Sequence, residues 1–305
     1  MALFACVAHG QAYPSKPVRI VTSGVGGGAD FAARLIAQGL TATMGQQVLV
    51  DNRASGVIPG EVVAKAAPDG YTLLLYGAAT WLTSLMRDDV PYDAVRDFAP
   101  ITLAGRAPNV LVAHPSLPVK SVKELIVLAK ARPGELNYTT GGTGSSSHLA
   151  GELFKSMAGV NIVRIPYKSG SLETNDLIAG QVQLSFATPV SVMANVKAGR
   201  LRALAVTSAR PSALFPELPT VAASVPGYES VSMHGLFAPA KTPALIIKRL
   251  NEDVVRFLNT AETRTRLLNA GVETVGSSPE ELAAAIKSDM ARMGRVIRDA
   301  GIRAE

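Results

Sequence analysis

Short apolar runs rich in β-branched residues alternate along this chain with stretches whose apolar residues recur every three or four positions. Val18-Arg-Ile-Val-Thr22 predicts a first strand, and Leu35, Ile36 and Leu40 mark one side of a following helix that stops near Gly45. Residues 48–50 predict a second strand. Pro68-Asp69-Gly70 is a turn before residues 71–76, a nearly continuous apolar run of the kind buried on both faces of a parallel sheet. The alternation then resumes. Residues 110–113, 136–139, 162–166, 182–186 and 203–207 predict strands. Ser121 and Glu124 form a capping box for a helix that Pro133-Gly134 ends, and Leu149, Leu153, Phe154 and Met157 line another helix. Strands alternating with helices imply βαβ units, hence an α/β fold.

The last third changes character. Thr242-Pro243 and Ser278-Pro279-Glu-Glu281 each open a helix, with no strong strand between or after them. Two such helices read as cladding returned to an earlier sheet. The expected organisation is therefore a discontinuous first domain, residues 13–104 with 236–305, and a second domain of residues 105–235.

At 305 residues the chain is long enough for two cores, and 48% apolar with 18% charged residues excludes wholesale disorder. The net charge of +6 raises the question of nucleic acid, but the 30 Lys and Arg are scattered, so nucleic acid is not expected as a partner. The single cysteine, Cys6, excludes an internal disulfide. Residues 1–12 are small and apolar and end at a small-residue cleavage site, as in the remnant of a signal peptide, although the basic start is missing. Leu3-Phe-Ala-Cys6 also fits a lipoprotein processing site that would anchor Cys6, a secondary reading. An exported, periplasmic location follows from either. No later stretch reaches 18 uninterrupted apolar residues.

Two strand–glycine loop–helix units carry the chemical interest. Ser23-Gly-Val-Gly-Gly-Gly28 and residues 140–147 lack bulky side chains, so a ligand can approach the backbone, and each ends at a helix N-terminus that favours an anion. If the domains face each other, both loops line one cleft, and a carboxylate there needs no arginine. Read alone, either loop is first of all a tight turn in a parallel sheet. The first is also a degenerate dinucleotide loop with Asp51 downstream, without the usual third-glycine spacing. His9, His114, His148 and His234 are far apart, and HExxH, GxSxG and Walker A patterns are absent. No metal or cofactor is expected, and the chain is not expected to be an enzyme. His148 and Asp30 at helix starts can orient a ligand or hold the backbone. Trp81 can wall the cleft or pack in a core, and Arg53 is a cation near the first loop or half of a surface ion pair.

The ordered series Tyr13-Pro-Ser-Lys-Pro-Val-Arg-Ile-Val21, Gly26-Gly-Gly-Ala-Asp30, Asp51-Asn-Arg53, Ala67-Pro-Asp-Gly-Tyr-Thr-Leu-Leu74, Asn137-Tyr138, His148-Leu-Ala-Gly-Glu-Leu-Phe154, Pro166-Tyr-Lys168 and Leu201-Arg-Ala-Leu-Ala-Val-Thr-Ser208 resembles the Bug (TctC-like) family, the periplasmic receptors of tripartite tricarboxylate transporters. The match runs through essentially the whole mature chain. It implies a two-domain periplasmic-binding-protein fold, a type II-like Venus flytrap, with a central sheet in each domain and crossover strands near residues 103–108 and 234–239. It also implies capture of a small carboxylate by Gly26, Gly27, Gly28, Ala29, Asp30 and Phe31 in the first loop and Thr140, Thr143, Gly144, Ser145, Ser146 and Ser147 in the second, with Ala78, His148, Ala187 and Thr188 beside them. The implied partners are membrane transporter subunits, or a sensor kinase if the chain is a signalling receptor, and the protein is expected to be monomeric. Where Phe-Asp-Asn is common in the family, this chain has Phe186-Ala-Thr188. Losing that acid points to a carboxylate ligand without an ammonium group.

Overall fold

The computed structural model describes residues 13–54, 56–299 and 301–303, so the leader and the lipid-anchor reading of Cys6 lie outside the described residues. The chain runs β1 (Val18–Thr22), α1 (Gly28–Met44), β2 (Val48–Asn52), α2 (Ile58–Ala64), β3 (Thr72–Tyr76), α3 (Ala79–Leu82) and β4 (Phe98–Pro108). It continues through β5 (Val110–Ala113), α4 (Val122–Ala131), β6 (Asn137–Thr140), α5 (Ser146–Ala158), β7 (Val163–Pro166), α6 (Gly170–Ile178), β8 (Leu184–Ala187), α7 (Pro189–Lys197) and β9 (Arg202–Val206). It returns by β10 (Val231–Pro239) to α8 (Ala244–Leu258), α9 (Ala261–Asn269), β11 (Glu273–Thr274) and α10 (Pro279–Asp299).

Two mixed sheets result, ordered β11-β4-β10-β3-β1-β2 and β7-β6-β8-β5-β9. The apolar runs behave as expected: β1 pairs in parallel with β2 and β3, and β3 is buried along nearly its whole length. Gly45 ends α1 in the left-handed conformation (φ 66°), where a residue without Cβ is favoured. Ser121 Oγ accepts from the Glu124 N–H at the start of α4, as the capping pattern requires.

The long strand β4 passes through Asn109 straight into β5 of the other sheet, and β10 pairs antiparallel along it from Val231↔Pro108 to Pro239↔Phe98. Three segments meet at this hinge. The Asn109 N–H donates to Thr207 Oγ1 (2.7 Å), and Thr207 Oγ1 donates to the Ser230 carbonyl (2.6 Å).

Helices α8 and α10 pack on β4, as cladding should. The expected pair is in fact three helices, because α9 intervenes, and the two-residue β11 joins the sheet edge beside β4. Trp81 is a core residue: it is buried, its indole N–H donates to Asp289 Oδ2 on α10 (2.8 Å), and its ring lies 6.3 Å from that of Phe237. The second sheet is covered on one face by Tyr138, Phe154, Phe186 and Tyr228, and on the other by Val110, Val112, Leu177 and Phe215.

Candidate ligand-binding site

The first loop is held from behind. Gly26 has φ 91°, a conformation open to glycine, and its N–H donates to Asp30 Oδ2 (3.1 Å). Asp30 is buried. Its Oδ1 accepts from Asn52 Nδ2 (2.8 Å) and pairs with Arg34 Nε (2.9 Å), so the carboxylate fixes the loop. Asn52 also donates to the Ser23 carbonyl (2.7 Å), while Arg53 pairs with Asp51. Phe31 turns into the first core.

The second loop is braced the same way. Ser145 caps α5, its Oγ accepting from the His148 N–H (3.3 Å). His148 Nδ1 accepts from the Gly144 N–H (3.2 Å), and Ser147 Oγ accepts from the Gly141 N–H (3.0 Å). Arg164 donates to the Thr140 and Thr143 hydroxyls (3.0 and 3.3 Å). Burial first, and Arg164 second, push the His148 pKa down to about 4, so its ring is neutral.

Both loops open onto one cavity of about 100 Å³ between the lobes. Gly27, Gly28, Ala29, Ala78, Ser145, Ser146, Ser147, Ala187 and Thr188 line it. Gly26, Asp30, Phe31, Thr140, Thr143, Gly144 and His148 do not; except for Phe31, their polar groups or backbone hold the loops or bridge the lobes. Ser23 of the first loop also lines the cavity, together with residues that loop-reading overlooked, among them Tyr76, Glu173, Ser191, Ser232 and His234. His234 stands immediately before an irregular register step in β10, between His234 and Gly235. Its ring is fully buried and neutral, the pKa pushed down to about 4 by desolvation.

The first turns of α1, α5 and α6, and the cap of α7 at Thr188, border the cavity, and first-turn N–H groups have no partner within their own helix. Among the described residues no lysine or arginine lines it. The lobes touch across it: Ser191 Oγ donates to the Gly26 carbonyl (2.9 Å) and the Ser171 N–H to the Val25 carbonyl (3.2 Å). A larger groove, about 1000 Å³, opens beside the hinge between residues 208–214 and α9–α10, but it includes neither glycine loop. Among the described residues no helix is long and apolar enough to cross a membrane, and no cluster of His, Cys, Asp and Glu could hold a metal ion.

Comparison with known proteins agrees with this geometry. The chain is 36% identical over 94% of its length to a UPF0065 protein encoded in the tcbD–tcbE intergenic region of Pseudomonas sp. strain P51, covering 87% of that protein. It is 35% identical over 95% of its length to protein BugT of Bordetella pertussis, covering 90% of it. Among solved structures, R. palustris Rpa4515 with adipate superposes with a TM-score of 0.93 at 37% identity, over 96% of this chain and 100% of that one. MatC from Rhodopseudomonas palustris with bound malate gives 0.89 at 27% identity, over 93% and 100%. These neighbours are solute-binding receptors, not enzymes. With residues 32–302 matching the tripartite tricarboxylate transporter family receptor, the chain belongs to that family, the Bug (TctC-like) solute-binding receptors.

Proposed function

We propose that this chain is a periplasmic receptor, working as a monomer, that closes its two domains over a small carboxylate and presents the closed form to a tripartite tricarboxylate-type membrane transporter. The domains are residues 13–104 with 236–305, and 105–235. The observation that carries the reading is the single small cavity on which both glycine loops converge, bordered by helix first turns and free of lysine and arginine. Oriented N–H groups in a desolvated site hold a negative charge without a counter-cation. The adipate and malate complexes of related proteins support the carboxylate class, and the cavity's size favours a compact guest.

Closure is a population shift: the ligand meets groups from both lobes only in the closed arrangement, so it stabilises that arrangement. Titration calorimetry with C3–C6 mono- and dicarboxylates tests the reading. Micromolar binding of at least one is expected, and failure of every carboxylate would sink it.

A further inference from the structure

Among the described residues, Glu173 is the one acid that lines the cavity. It lies on α6, and its Oε1 accepts hydrogen bonds from Thr139 Oγ1 on β6 (2.7 Å) and Ser185 Oγ on β8 (2.8 Å). Those two bonds occupy both lone pairs of Oε1, and the residue itself lines the cavity. Ser185 and Ala187 are two apart on β8 and so share a face of the strand. The cleft that lacks an acid at Ala187 therefore receives one from another element.

The surroundings decide what this acid does. Thr139 and Ser185 are neutral. His234, elsewhere on the cavity wall, is neutral, and Tyr167 is tied to Asp176 by its hydroxyl (2.7 Å). Arg164 serves the Thr140 and Thr143 hydroxyls, and neither it nor Lys168 lines the cavity. An ionised Glu173 would face an anionic guest with no cation between them, and two carboxylates sharing a site do not both stay ionised. Resting on the carboxylate reading above, we propose that Glu173 is a specificity-determining residue that, as a neutral carboxylic acid, donates from Oε2 to the second carboxylate of a small dicarboxylate whose first carboxylate lies on the opening turns of α1 and α5.

Burial raises the Glu173 pKa, and the two hydroxyl bonds only partly oppose it. A guest dianion raises it further. Wherever unliganded Glu173 is ionised, binding must then take one proton from solvent: carboxylate, proton and dianion become a carboxylic acid hydrogen-bonded to a carboxylate. An amino acid would act oppositely, its ammonium holding Glu173 ionised and releasing any proton.

Calorimetry of the full chain from pH 6 to 9, in pairs of buffers with different ionisation enthalpies, reads this directly. The probes are succinate, malate, glutarate and adipate, set against aspartate, glutamate and butyrate. The expected result is tight binding of a dicarboxylate with proton uptake approaching one at the alkaline end, where affinity falls up to about tenfold per pH unit. Glu173→Gln keeps an N–H donor and cannot titrate. It should bind the same dicarboxylate within about tenfold of wild type, with no uptake and a flat pH profile. Zero uptake by wild type at every pH, preference for an amino acid that Glu173→Gln abolishes, or preference for butyrate would each overturn the assignment while leaving the receptor reading intact. No binding of any probe would remove both. The wild-type buffer series stands alone should the variant fail to fold, which its melting temperature reports.

Discussion

Gly24→Ala tests closure by aiming a methyl group from the first loop at the opposite lobe. Gly24 lies in the first loop with no positive φ, so alanine suits its backbone. A Cβ built there would stand 2.4 Å from the Lys168 carbonyl oxygen and 3.0 Å from Ser169 Cβ, both on the opposite lobe. Ordinary contact begins near 3.4 Å, so the two backbones must part by about 1 Å. Overpacking of this kind costs about 1–3 kcal/mol. That cost falls only on the closed arrangement, so ligand affinity should drop about 5- to 150-fold by the relation of about 1.4 kcal/mol to each factor of ten. The ligand-free melting temperature should stay put, and calorimetry with small-angle scattering should show weaker binding and incomplete compaction. Undiminished affinity with full compaction would refute the reasoning, and so would a large fall in ligand-free stability.

Other substitutions separate holding the loops from holding the fold. Asp30→Ala removes the acceptor of the Gly26 N–H, Asn52 and Arg34, so affinity should fall about tenfold beside a stability loss of about 1–3 kcal/mol, read by calorimetry and urea melts. Asp289→Ala leaves the buried Trp81 N–H unpaired and should cost a similar stability in a urea melt while affinity is unchanged, since Asp289 is off the cavity. His148 and His234 stay neutral down to about pH 4 when folded, whereas the unfolded chain protonates them near 6.5. The unfolded state thus binds more protons within that window, and stability should fall as pH drops through it, by up to about 3 kcal/mol per histidine. Urea midpoints of wild type and His148→Gln between pH 4.5 and 7.5 check this: the variant's slope should be shallower, and equal slopes would exclude His148 as a source.

Much of the fold was legible because its strands are short apolar runs bounded by glycine and proline. Residues 18–22 and 110–113 coincide with β1 and β5. The two loops were legible as glycine turns that lead into helix N-termini for the same local reason. What local pattern misjudged was the destination of polar side chains. Asp30, Thr140 and Thr143 look like ligand contacts beside a cleft, yet the loops consume them, because a glycine turn needs partners for its own N–H groups and Arg164 needs acceptors. Glu173 belongs to no glycine loop or motif and passed unnoticed, because contacts 34 and 12 residues away along the chain draw it inward. His234 sits in an apolar strand, where register, invisible in sequence, decides its aim.

On the proposed reading, anchoring a charge on peptide groups has an evolutionary corollary. Point substitutions cannot delete an amide hydrogen except by introducing proline, so the grip on one end of the cargo survives most drift. The side chains around it, such as Ala187, Thr188 and Glu173, remain free to diverge and retune the menu. Paralogues built this way should differ in diet far more readily than in the ability to seize an acid at all.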